Sequence, residues 1–148
     1  MKTNNLRFII VVGLILLPAL SHAVDVNFNV FKAAVCQVES GCNDGKIGTK
    51  GERGRYQFME ATWKQYTNLP HSAAHVQSNS EMVMDKHCRW MMLALKRLGR
   101  EVTVKNLALL HNAGYGNMER RTIKASNYDY AERVNAVYID LLTPKIVK

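Results

Sequence analysis

The chain has 148 residues and a formal net charge of +8, from 20 Lys and Arg against 12 Asp and Glu. With an N-terminal targeting segment set aside, residues 24–148 suffice for one domain with its own core and are too few for two. The positive balance suits an anionic partner, but the basic side chains, among them Lys46, Lys50, Arg53, Arg97, Arg121 and Lys124, are scattered rather than massed in one stripe. That pattern argues against nucleic acid and for affinity to another anionic polymer.

Taken in chain order, Lys2 and Arg7 make a positive start, and Phe8 to Leu17 is an uncharged, almost wholly apolar run. Pro18 breaks it, and Ser21-His22-Ala23 puts small residues at the two positions a signal peptidase reads. The run is short for a bilayer span. Residues 1–23 therefore read as a signal peptide cut after Ala23, with Val24 first in a periplasmic or secreted protein that keeps no membrane anchor.

Phe28, Phe31, Val35 and Val38 then recur at spacings of three and four and predict a helix over residues 26–40. Glu39 follows Val35 by one helical turn, on the edge of that apolar face. Residues 41–54 are rich in glycine and aperiodic, hence a loop, with at most a small hairpin over 47–56. A short helix is expected over 59–66. Ser78-Asn79-Ser80-Glu81 has the spacing of a capping box and opens a long helix ending before Gly99. Trp90 to Leu95 is apolar all round, which marks that helix as the buried central one. Thr103 caps a helix running to Ala113, and a last helix over 128–142 carries Ala131, Val134, Tyr138 and Leu141 on one face. The fold class is mainly α, α+β at most.

Cys36, Cys42 and Cys88 would reach an oxidising compartment, where one disulfide and one free thiol is the natural count. A Cys42–Cys88 bridge would fasten the loop to the core, leaving Cys36 as a small buried hydrophobe. Cys36–Cys88 is the alternative, and the sequence leaves the pairing open.

Glu39-Ser40, Gly54-Arg55-Tyr56-Gln57, Leu110-His111-Asn112-Ala113-Gly114 and Tyr130-Ala131-Glu132-Arg133-Val134 occur in that order. Together they resemble the landmarks of the soluble lytic transglycosylase domain of the lysozyme-like superfamily. Those landmarks are a catalytic Glu-Ser, a Gly-Leu-Met-Gln-type turn, an Ala-Tyr-Asn-Ala-Gly segment and a Tyr-x-x-Arg-Val helix. The resemblance runs from Val30 to Leu142 and includes Thr62-Trp63 after the glutamine turn. Tyr56 stands where the family has methionine and His111 where it has tyrosine. Glu39-Ser40-Gly41-Cys42, Tyr56-Gln57-Phe58 and His111-Asn112-Ala113-Gly114 are also similar to invertebrate-type lysozymes and phage wall-lysis enzymes.

The resemblance implies a lysozyme-like helical bundle that cleaves peptidoglycan glycan strands between N-acetylmuramic acid and N-acetylglucosamine, without a cofactor. Breaking a glycosidic bond needs a proton on the leaving oxygen, and a carboxylic acid keeps one near neutral pH when apolar surroundings raise its pKa. Glu39 is the candidate acid. A hydrolase pairs such an acid with a second carboxylate, for which Asp44, Glu52 and Glu60 are available and Glu52 is best placed. A transglycosylase needs none, because the substrate's own C6 hydroxyl closes a 1,6-anhydro ring. Ser40, Tyr56, Gln57, Asn112 and Tyr130 are the implied binding residues. Of these Tyr56 would stack on a sugar, Tyr130 orient Glu39 and Ser40 hold the loop. Trp63 reads as packing, and Gly54 and Gly114 as backbone requirements. Two rivals are weighed against this: a metal site from His71, His75, His87 and Cys88, whose His-x-x-x-His pair falls in a stretch that Pro70 and Ser72 mark as a loop and has no glutamate between the histidines, and a wall-binding module without catalysis. The sequence names no protein partner. A secretion or conjugation apparatus of the cell envelope, wall growth and attack on rival cells all stay open as settings.

Overall fold

A computed structural model describes residues 25–144 of the chain, so the expected signal peptide and Val24 lie outside the described residues. Helices dominate: α1 (Phe28–Ser40), α2 (Glu60–Trp63), α3 (Gln77–Arg97), α4 (Val104–Ala113), α5 (Tyr115–Arg120) and α6 (Ala125–Leu142), with a 3-10 turn at His71–His75 before α3. The protein is mainly α, as its periodicity predicts.

Local chemistry sets the helix ends. Asn27 starts α1, its side-chain oxygen accepting from the amides of Asn29 and Val30. Gly41, at φ 65°, ends it in the left-handed conformation immediately after Glu39 and Ser40. Thr103 caps α4 through the amide of Asn106, as expected. The capping box at Ser78 does not form: the 3-10 turn runs straight into α3, which begins ahead of Ser78 behind Val76. Ser80 instead donates its buried hydroxyl to Ala74 O at 2.8 Å, and Glu81 turns toward the loop.

The central helix is also not the expected one. Leu93 on α3 is 58% exposed, so the apolar run 90–95 is not enclosed. In α4, by contrast, Leu107, Ala108, Leu109 and Leu110 are all buried, and α3, α5 and α6 pack around it. Run length cannot tell which helix the others pack around; packing decides it. On α6 Ala131, Val134 and Tyr138 are buried as predicted, while Leu141, one residue from the end of the helix, is half exposed. The hairpin over 47–56 reduces to isolated antiparallel bridges, Ile47 with Arg53 and Arg53 with Phe58.

Both cysteine pairings are corrected. The disulfide joins Cys36 to Cys42, whose Cα atoms are 4.8 Å apart, and Cys88 is a free, buried thiol. The Gly41 turn folds the chain back so that Cys42 meets its neighbour on α1 rather than α3. The bridge therefore clamps the end of the helix that bears Glu39.

Candidate active site

Glu39 lies in the last turn of α1 and opens into a cleft of about 740 Å³. The walls include Glu52, Gln57, Trp90, Asn112, Tyr115 and Asn127. The Glu39 side chain is 17% exposed, with Oε1 3.4 Å from His111 Nε2. Burial alone would raise its carboxyl, as the sequence suggests. However, the hydrogen bond and charge of His111, the nearby Tyr130 hydroxyl and the Arg133 guanidinium outweigh burial and hold it below its ordinary value. The expectation of an apolar, pKa-raising pocket is therefore corrected: the acid faces a histidine.

A chain of polar groups continues behind His111. Its Nδ1 lies 3.2 Å from His87 Nε2, and His87 Nδ1 lies 2.9 Å from the Tyr66 hydroxyl. Phe58 packs its ring against both imidazoles, with centroids 5.6 Å from His87 and 5.9 Å from His111. Trp90 stacks on His87 at 12° between planes and touches Tyr115 at 6.3 Å. Burial, reinforced by the His111 charge, pushes the His87 imidazole well below its ordinary value, so His87 stays neutral. Burial and then the neighbouring Cys88 push the Tyr66 hydroxyl up to about 12.

The predicted binding residues divide. Gln57 lines the cleft, its amide donating to Gly54 O at 2.8 Å and Lys46 O at 3.2 Å. Asn112 lines it too, its Oδ1 accepting from Asn127 at 2.7 Å. Tyr130 is buried from α6, where burial, ahead of the Glu39 charge, pushes its hydroxyl far up. That hydroxyl feels the carboxylate electrostatically but completes no hydrogen bond of normal geometry. Ser40 ties the loop, donating to Arg55 O at 2.8 Å and accepting from Asn43 N at 3.0 Å. Tyr56 is 1% exposed and cannot stack on a sugar. Its hydroxyl donates to Glu81 at 2.6 Å, and the aromatic walls of the cleft are Trp90 and Tyr115 instead. Trp63 is packed within the core, as expected.

Of the second carboxylates, Asp44 is held by Arg55 at 2.7 Å and Glu60 by Lys64 at 2.7 Å. Glu52 lines the cleft with Glu39, accepts only the Lys50 amide at 2.9 Å and makes no ion pair among the described residues. Gly48 admits this arrangement, since any side chain there would run into Glu52 and Gln57. The loop is anchored by an ionic cluster in which Arg55 reaches Asp44 and Glu81, and Lys32 reaches Glu81 and Asp85. Gly54, at φ 76°, rests against the Ala74 carbonyl where a methyl group would not fit.

The residues weighed for a metal go elsewhere: His71 to Phe58 O, His75 toward Arg53 and His87 to His111. From the sequence, His87 is weighed only as a metal ligand and His111 appears only as a departure within a landmark, while Trp90, Tyr115 and Asn127 receive no site role. A signal for the histidines existed. His111 follows Leu107 by four and His87 follows Met84 by three, so each is a polar residue on a buried helical stripe. Comparison of the chain with protein-family models, with curated proteins and with solved structures finds no match.

Proposed function

We propose that this protein is an extracytoplasmic, lysozyme-like enzyme that cleaves the β-1,4 bond between N-acetylmuramic acid and N-acetylglucosamine by lytic transglycosylation. The observation that carries the reading is Glu39 itself. A part-buried carboxylate at a helix end opens into a long polar cleft walled by amides and by two aromatic rings. Aromatic faces and amides are the groups that hold a sugar by stacking and by hydroxyl or N-acetyl hydrogen bonds. The Cys36–Cys42 bridge fits an oxidising compartment, and among the described residues no helix is long and apolar enough to cross a membrane.

In this mechanism Glu39 gives its proton to the glycosidic oxygen as the bond breaks and positive charge spreads over the muramyl ring. The resulting carboxylate then takes the proton of the C6 hydroxyl, whose oxygen closes the 1,6-anhydro ring. No water enters the product. Hydrolysis is the second reading, and one observation favours it: Glu52 faces the same cleft without a salt-bridge partner among the described residues.

Digestion of purified peptidoglycan with mass analysis of the fragments separates the two. Anhydro ends, lighter by one water, support transglycosylation; reducing ends that vanish in Glu52→Gln support hydrolysis. Glu39→Gln should lower the cleavage rate by about 10²-fold or more while the protein stays folded. An unchanged rate would remove Glu39 from the reaction, and absence of cleavage by the parent protein would leave a wall-binding module as the better description.

A further inference from the structure

We propose that Glu39 and His111 share one titrating proton, and that His87 and Tyr66 form a hydrogen-bonded chain whose direction reverses when that proton arrives. His111 is then a positioning residue that keeps the acid's proton close. The catalytic meaning rests on the function proposed above; the switch itself does not.

Both nitrogens of each imidazole are engaged along the line Glu39–His111–His87–Tyr66, at 3.4, 3.2 and 2.9 Å. When Glu39 is ionised and His111 neutral, every donor points toward the carboxylate. Tyr66 O–H donates to His87 Nδ1, His87 Nε2–H to His111 Nδ1, and His111 Nε2–H to Glu39. One added proton can sit on the carboxyl or make His111 an imidazolium. In either case His111 Nδ1 becomes a donor. His87, which burial keeps neutral, must then accept at Nε2 and carry its hydrogen on Nδ1, facing the Tyr66 oxygen. One proton is added in total; the hydrogens of His87 and Tyr66 change place or orientation without changing number.

Lys50, Glu52 and Lys124 line the cleft and Cys88 lies beside Tyr66, while Tyr130 and Arg133 from α6 face Glu39. These last two favour the ionised carboxylate, and Arg133 lies 5.8 Å from the Tyr130 ring centre. A glycan that fills the cleft removes water from the carboxylate and favours its neutral form, with the shared proton on Glu39. Glu39 then delivers one proton to the leaving oxygen and regains one from the C6 hydroxyl, so the pair is restored after each turnover.

The test is nitrogen NMR of the mature protein labelled with ¹⁵N-histidine, titrated from acid to neutral pH. The expected result is that His87 passes from the Nδ1–H to the Nε2–H tautomer at the same midpoint at which His111 loses its proton. In Glu39→Gln, whose fold is checked by its thermal midpoint, the His111 midpoint moves down and the His87 switch follows it. A His87 that keeps one tautomer throughout, or that switches independently of Glu39, overturns the proposal. On glycan substrate, His111→Gln should shift the alkaline limb of kcat/KM to lower pH by about one unit or more, because Glu39 then holds its proton alone. An unmoved limb counts against the sharing. Absence of glycan cleavage in the parent protein would defeat the proposed function while leaving the NMR result to decide the switch.

Discussion

Glu81 is where the loop beside the cleft is most exposed to a single substitution. Its carboxylate accepts from Tyr56 at 2.6 Å, from Arg55 at 3.0 Å and from Lys32 at 3.2 Å. In Glu81→Ala the two cations keep other partners, Arg55 with Asp44 and Lys32 with Asp85, so each loses about 0.5 kcal/mol at a partly exposed site. Tyr56 has no such reserve, and a buried hydroxyl stripped of its acceptor costs about 1–3 kcal/mol. The total is about 2–4 kcal/mol, a drop in Tm of roughly 8–15 °C for a domain of this size. Urea denaturation of Glu81→Ala, Tyr56→Phe and the double variant measures it. Tyr56→Phe should cost about 1 kcal/mol in the parent and almost nothing after Glu81→Ala. A loss below about 0.5 kcal/mol for Glu81→Ala, or an equal cost of Tyr56→Phe in both backgrounds, would refute the account of Tyr56 as an anchor of the loop.

The same cluster sets an acid limit. Burial would raise the Glu81 carboxyl, but Tyr56, Lys32 and Arg55 together hold it below its ordinary value, so its contribution is present above the unfolded carboxylate pKa and is lost as pH falls through the folded one. Denaturation midpoints should therefore fall below about pH 4.5, less steeply in Glu81→Ala. Gly54→Ala combines left-handed strain with a collision against the Ala74 carbonyl and should cost about 2–4 kcal/mol by chemical denaturation. Reduction of Cys36–Cys42, which closes a loop of sequence separation 6, should cost about 2 kcal/mol. Peptide mapping should find those two cysteines linked and Cys88 alkylated only after unfolding.

Helix positions were legible because burial in this protein follows the turn of each helix. Phe31 and Val35 on α1, and Ala131, Val134 and Tyr138 on α6, repeat at the spacing that puts them on one inward face. Thr103 and Gly54 were legible for a similar reason: a cap and a left-handed turn are decided by residues close in sequence. Glu39, Gln57 and Asn112 were singled out by the landmarks they resemble, and the structure brings all three to one cleft.

What pairs across the fold was not legible. Tyr56 looked like an exposed sugar platform until α3 placed Glu81 over its hydroxyl. Cys42 found Cys36 instead of Cys88 because Gly41 reverses the chain, and α4 rather than α3 became central because α3, α5 and α6 all pack against it. Above all, the surroundings of Glu39 come from four separate segments: α1, α3, α4 and α6 supply Glu39, His87, His111 and Tyr130. The sequence alone determined which carboxylate stands at the end of α1, because short-range periodicity and capping specify that. Whether this carboxylate meets apolar surface or a histidine was decided by tertiary structure, because a pKa depends on charges and dipoles a few ångströms away that can be far apart along the chain.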